Sequence, residues 1–197
     1  MIDELKLDKI IKFAKKHHPA KSIHDWKHVL SVVATALYLG KKEKADIDVL
    51  LVSAYLHDIG YRIGTKENHN EKSVELAKPF LEELNFDDKF ISKVIHAILH
   101  HKVSWAKKTK NKEARILCDA DKIDQLGAFG FLRIVRNRLL YRKEELYDAI
   151  EIAEQKNTKI YKTLFTKSAK EMVKKECDYI KKLCNDFNKR KRLIESI

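Results

Sequence analysis

A chain of 197 residues fits one domain, or one with a small companion, and can bury a sizeable core. At 44% hydrophobic it is not composed like a disordered segment, and five Gly with two Pro give too few turn signals for an all-β sandwich, so helices are expected. Lys and Arg exceed Asp and Glu by 41 to 29, a formal charge of +12, which suits a polyanionic partner, a phosphate-bearing substrate or a heat-adapted, Lys-rich surface.

Apolar spacing is helical almost everywhere. Leu5, Ile10, Ile11 and Phe13 mark a first helix, ended by His17-His18-Pro19. After Ser22 a second carries Trp26, Val29, Leu30, Val33, Ala34 and Leu37, with a natural stop at Gly40. Asp46 is placed to cap a third, IDVLLVSAYLHDIG, apolar nearly all round and therefore a buried central helix closing at Gly60. Asn68 or His69 opens a fourth through Val74, Leu76, Ala77 and Leu81, where Pro79 predicts a kink or break. Asp87 caps a fifth with the stripe Phe90, Ile91, Val94, Ile95, Ile98 and Leu99. From Val103 to Lys112 the period is lost, which predicts a basic loop carrying Trp105. Helix resumes at Ile116 and Leu117, is interrupted around Gly127 and Gly130, and continues to about Leu140; two more amphipathic helices fill 144–187.

The expectation is one all-α domain over 1–197, with the last fifty or so residues a helical extension. No apolar run approaches the ~18 residues of a membrane span and MIDELKLDKI is charged throughout, so no membrane association and a cytoplasmic location are expected. Cys118, Cys177 and Cys184 form no CxxC pair and are expected to be inert packing residues, as are Trp105, Phe129 and Phe131.

Seven of nine histidines fall between His24 and His101: His24, His28, His57, His69, His96, His100 and His101. Neutral imidazole and carboxylate are the ligands that Mn, Fe, Co, Ni and Zn accept. His57-Asp58 closes the buried third helix, where a charged Asp is most easily accommodated by a cation or a strong hydrogen-bond set. A second acidic concentration, Asp119, Asp121 and Asp124, lies in ILCDADKIDQLGAFGFL.

In this order the residues resemble the HD-domain metal-dependent phosphohydrolases: a His, an adjacent His-Asp pair, then a distant Asp, all on helices around one metal. The matches are His28 in HDWKHV, His57 and Asp58 in YLHDIGY, and Asp121 in DADKID, in a motif core of about 24–136. The resemblance implies an HD-domain helical bundle, 144–187 being the extension, with His28, His57, Asp58 and Asp121 as metal ligands. His24-Asp25 is a decoy pair that precedes the apolar period, and His24 is assigned to a supporting position four residues before His28. Ala120-Asp121-Lys122-Ile123 fits the family's string and favours Asp121 over its acidic neighbours.

In the dinuclear branch that degrades cyclic dinucleotides, HDIGK is followed by a His with a small residue four on, then a His-His pair. This chain has HDIGY, His69 with Ser73, and His100-His101, but Tyr61 replaces the Lys and Lys102-Val103-Ser104-Trp105 stands where Gly-Tyr-Pro is usual. It looks closer to small stand-alone HD hydrolases, with Gly127 to Arg133 resembling their GAxGxxR-like segment.

The resemblance implies hydrolysis of a phosphoester or phosphoanhydride, the substrate being a small phosphorylated compound such as a nucleotide, assisted by a divalent metal ion. Asp58 would orient water or take its proton, and His69 or His101 would protonate the leaving group or bind phosphate. His24, His69, His100 and His101 are also candidates for a second metal or for supporting ligands. Lys122, Arg133 and Arg136 are candidates for gripping phosphate. The rival readings are a basic nucleic-acid-binding protein with a structural or degenerate metal site, and a cyclic-nucleotide phosphodiesterase.

Overall fold

The structure, a computed structural model, describes residues 2–18 and 26–197. All regular structure among them is helical, and the chain divides into two compact units, Met1–Asp121 and Lys122–Ile197. No helix among the described residues is long and apolar enough to cross a membrane.

The first unit begins with α1 (Glu4–His17), where the Asp3 carboxylate accepts the Lys6 N–H and Lys15, Lys16 and His17 complement the dipole at the other end. α2 (Trp26–Glu43) continues past Gly40, the expected stop. Gly40 serves packing instead: a Cβ there would run into the side chains of Leu50 and Ile47, so its bareness admits the neighbouring helix α3 (Ile47–Leu56). As expected, Asp46 caps α3, accepting the Val49 N–H.

α3 ends at Leu56 and does not reach Gly60. The backbone leaves helical geometry at Asp58 (φ −112°, ψ 6°) and makes a 3₁₀ turn over Ile59–Arg62. The Gly60 N–H donates to Ser73 Oγ of α4 (His69–Glu83), and a Cβ on Gly60 would collide with α4 backbone at His69 and Ser73. That close approach diverts the chain just after the His57-Asp58 pair. α4 runs unbroken through Pro79.

Asp87 caps α5 (Asp88–Leu99) by accepting the Phe90 N–H. The stretch expected to be a loop contains one helical turn, α6 (Val103–Ala106). α7 (Lys112–Ile123) starts where the Asn111 side chain accepts the Ala114 N–H. α3 packs against α1, α2 and α5, and α4 against α5. The resulting core includes Ile10, Val29, Val32, Ala36, Val52, Leu56, Ile59, Leu81, Val94, Ile98 and Leu117. α3, almost wholly buried, is its central member, as its all-round apolar sequence requires.

The second unit contains α8 (Gly127–Tyr141), α9 (Leu146–Thr163) and α10 (Lys167–Glu195), packed mutually. Gly127 has φ +65°, a conformation that favours glycine, and starts α8; Gly130 lies within it. α10 extends well beyond Phe187, the expected end. Phe131, Ile150, Ala153, Ile180 and Cys184 form the core of this unit. Phe131 is buried as expected, but Phe129 is 64% exposed because it points off the opposite side of α8.

Candidate metal centre

Five elements of the first unit carry polar side chains into one buried place. His28 comes from α2, Asp121 from the end of α7, and His57 and Asp58 from the turn after α3. His69 is the first residue of α4, and His101 follows α5. All six are buried. Asn70 helps bring the last two together, since its Nδ2 donates to the Leu99 carbonyl at 2.7 Å and ties the start of α4 to the end of α5.

Asp58 is the centre. Its Oδ2 lies 3.3 Å from His57 Nε2 and 3.5 Å from His28 Nε2. Its Oδ1 lies 3.5 Å from His69 Nε2 and 3.6 Å from His101 Nε2. His28 Nε2 is also 3.6 Å from Asp121 Oδ1. Two groups of donor atoms result, His28–His57–Asp58 and Asp58–His69–His101, each with its atoms within 4.8 Å of one another. One carboxylate therefore faces two pairs of imidazoles through its two oxygens.

The tautomers suit metal binding. His57 Nδ1 donates to the Ala54 carbonyl at 2.8 Å, His69 Nδ1 to Lys66 at 3.0 Å, and His101 Nδ1 to Ile98 at 2.6 Å. A carbonyl only accepts, so each Nδ1 bears a proton and each ring turns its Nε2, the nitrogen left for a metal, toward Asp58. Backbone anchoring of the distal nitrogen is the usual way a ligating histidine is oriented. His69 Nε2 and His101 Nε2 then stand 3.1 Å apart with lone pairs converging, an arrangement that calls for a cation or a proton between them. His57 Nε2, buried and 3.3 Å from Asp58 Oδ2, is not aligned for a hydrogen bond to it. The donor set thus fits divalent cations.

The electrostatics agree. Burial disfavours a charged His57, but the neighbouring Asp58 carboxylate outweighs it and holds the pKa above the usual imidazole range. Burial, with the His101 ring beside it, pushes His69 down to about 4, so this imidazole is neutral near neutral pH. The Tyr61 hydroxyl is raised by burial and by the Asp58 and Asp121 carboxylates. The site therefore rewards positive charge near its carboxylates, and His69 offers it a neutral nitrogen donor.

Other residues singled out from the sequence are not in these two donor groups. His24 and Asp25 lie outside the described residues. His100 turns from the cluster: its Nδ1 donates to the His96 carbonyl, and its ring stacks on His96 and meets the edge of Trp105. His96 Nε2 bonds Thr109 Oγ1 at 3.1 Å. In the second unit Arg133 is ion-paired with the buried Asp124 carboxylate and lies over the Phe129 ring, Arg136 is exposed, and Lys122 is half-buried. The sequence reading missed two supporting residues. In the sequence Ser73 reads only as a small residue, yet its Oγ accepts the Gly60 N–H and donates to the His57 carbonyl at 2.6 Å. Tyr61 stood out only as a departure from a motif, yet its ring stacks on His69.

Comparison with known proteins gives consistent results. The HD domain model matches residues 25–126. An uncharacterized protein of Bacillus subtilis (strain 168), YpgQ, is 32% identical over 115 residues, 56% of this chain and 55% of that protein, so the chain spans little more than half the length of the curated relative it matches. The solved structure of Bacillus subtilis YpgQ in complex with ADP superimposes with a TM-score of 0.73 at 22% identity, covering 93% of this chain and 97% of that one. An HD-superfamily hydrolase from Bacillus thuringiensis gives 0.73 at 23%, covering 96% and 98%. At these identities the structural likeness establishes a shared fold.

Proposed function

From the premise that this chain belongs to the HD domain family, we propose that it is a metal-dependent phosphohydrolase acting on a nucleotide or a related small phosphoester or phosphoanhydride. The observation that carries the proposal is the placement of Asp58, one oxygen toward His28 and His57 and the other toward His69 and His101. A purely structural cluster has little reason to turn four imidazole nitrogens on one carboxylate. The ADP held by solved YpgQ supports a nucleotide as the substrate class.

In this reading His28, His57, Asp58 and Asp121 would hold one divalent ion, and Asp58, His69 and His101 would hold a second. A divalent cation bound there supplies Lewis-acid activation of water and neutralises phosphoryl charge; Mn, Fe, Co, Ni and Zn all suit the donors. The chain's own part is orientation. The Ala54, Lys66 and Ile98 carbonyls hold His57, His69 and His101 in the tautomer that presents Nε2. Asp58 accepts a hydrogen bond from the attacking water and draws its proton, being the carboxylate that both donor groups share. His69 and His101 act as ligands in preference to acids, because their Nδ1 protons are committed to carbonyls.

The test is a panel of nucleotides and other phosphorylated compounds assayed with each metal, alongside elemental analysis. Asp58→Asn keeps the shape and removes the charge; it should retain the helical fold while losing hydrolysis at least a hundredfold, together with bound metal. Undiminished metal-dependent hydrolysis by Asp58→Asn would overturn the proposal. Salt-sensitive nucleic-acid binding with no phosphate release from any compound would favour the nucleic-acid-binding alternative.

A further inference from the structure

The His69 imidazole is held by edge and face. Its Nδ1 donates to the Lys66 carbonyl, an oxygen that also accepts from Lys102 Nζ at 3.3 Å. A single hydrogen bond of this kind leaves the ring able to pivot, because the torsion of an imidazole about its Cβ–Cγ bond is broad. The Tyr61 ring lies flat on the imidazole, centroids 4.2 Å apart and planes 9° from parallel, and it blocks that pivot. Tyr61 is itself fixed from below: it belongs to the 3₁₀ turn Ile59–Arg62, and its N–H donates to the Asp58 carbonyl at 3.1 Å. One residue therefore links the backbone of the central carboxylate to the ring of a histidine facing that carboxylate.

We propose that Tyr61 is a positioning residue that locks the plane of His69, so that Nε2 faces Asp58 and His101 while Nδ1–H stays on the Lys66 carbonyl. The consequence for metal binding rests on the reading that Asp58, His69 and His101 hold a cation. Rotation of the His69 ring would carry Nε2 away from the 3.1 Å approach to His101 Nε2 and disperse that donor group. The ring face of Tyr61 does this work, so Phe should replace it and Leu should not.

The experiment has two readings on the full chain. Long-range proton–nitrogen NMR of the metal-free protein reports the tautomer of His69. Wild type and Tyr61→Phe should each show a single Nδ1–H form, and Tyr61→Leu a shift toward averaged nitrogens. Titration with Mn or Co followed by calorimetry should then show the weaker-binding cation lost by about tenfold or more in Tyr61→Leu, with the other unchanged and with recovery in Tyr61→Phe. A single unshifted tautomer in Tyr61→Leu overturns the clamp whatever the cation count, and so does a Tyr61→Phe variant that behaves like Tyr61→Leu. Should the tautomer shift as expected while wild type binds one cation only, the clamp stands and the second cation position falls.

Discussion

Ser73 shows how much of the centre depends on residues with no place in it. It is wholly buried and makes two hydrogen bonds, from the Gly60 N–H and to the His57 carbonyl, that fix the turn on which His57 and Asp58 sit. Ser73→Ala leaves both backbone groups buried and unpaired, so it should cost about 1–3 kcal/mol. Urea denaturation checks this: the midpoint should fall with the slope unchanged. At this scale the motif residues were legible, because His28, His57, Asp58 and Asp121 lie in recognisable strings and the structure gathers all four. His100 and His101 were not separable in the sequence. Which of two adjacent histidines faces inward depends on how the backbone turns after Leu99, and it is His101 that reaches Asp58 while His100 stacks on His96.

The starts of α3 and α5 were legible because caps are local chemistry. Asp46 and Asp87 each accept a backbone N–H three residues on, and Asp3, which the sequence reading did not single out, does the same for α1. Asp46 also bonds Lys93 of α5, and its own N–H donates to Glu113 of α7, so the start of α3 is tied to two neighbours. Burial works against ionised Asp46, but the Lys93 ammonium and the Val49 N–H outweigh it and hold its pKa below the usual carboxylate value of 3.8. A carboxyl with a lowered native pKa contributes stability that is full above its unfolded value and lost as pH falls through the native one. Asp46→Ala should therefore be about 1 kcal/mol less stable than wild type at pH 7. The gap should narrow below pH 3.8, as chemical denaturation across that range would show; a gap constant with pH would remove Asp46 from the account. Helix ends were harder to read. Gly40 does not end α2, and α3 stops well before Gly60, because helix-to-helix approach decides both.

The whole chain separates into two units, and every residue of the two donor groups belongs to the first. Metal addition should therefore stabilise that unit. At a hundredfold excess over Kd the gain is about 3 kcal/mol, or roughly 5–10 °C in Tm for a chain this size. Calorimetry with and without a chelator measures it, and His57→Ala, which lacks a ligand to the first ion, should show a much smaller shift. The +12 charge is carried by both units, including the Lys102 to Arg115 stretch in the first and the Arg133 to Lys143 set in the second.

Composition and apolar period were sufficient for an all-α chain with a buried α3, since burial on every side leaves its mark along the sequence itself. The order His, His-Asp, Asp was sufficient for the family. Tertiary structure decided which oxygens and nitrogens meet. The division of Asp58 between two pairs of imidazoles, the Ser73 brace and the Tyr61 stack all join residues on different elements, and their distances depend on how α2, α3, α4, α5 and α7 pack, which no local spacing records.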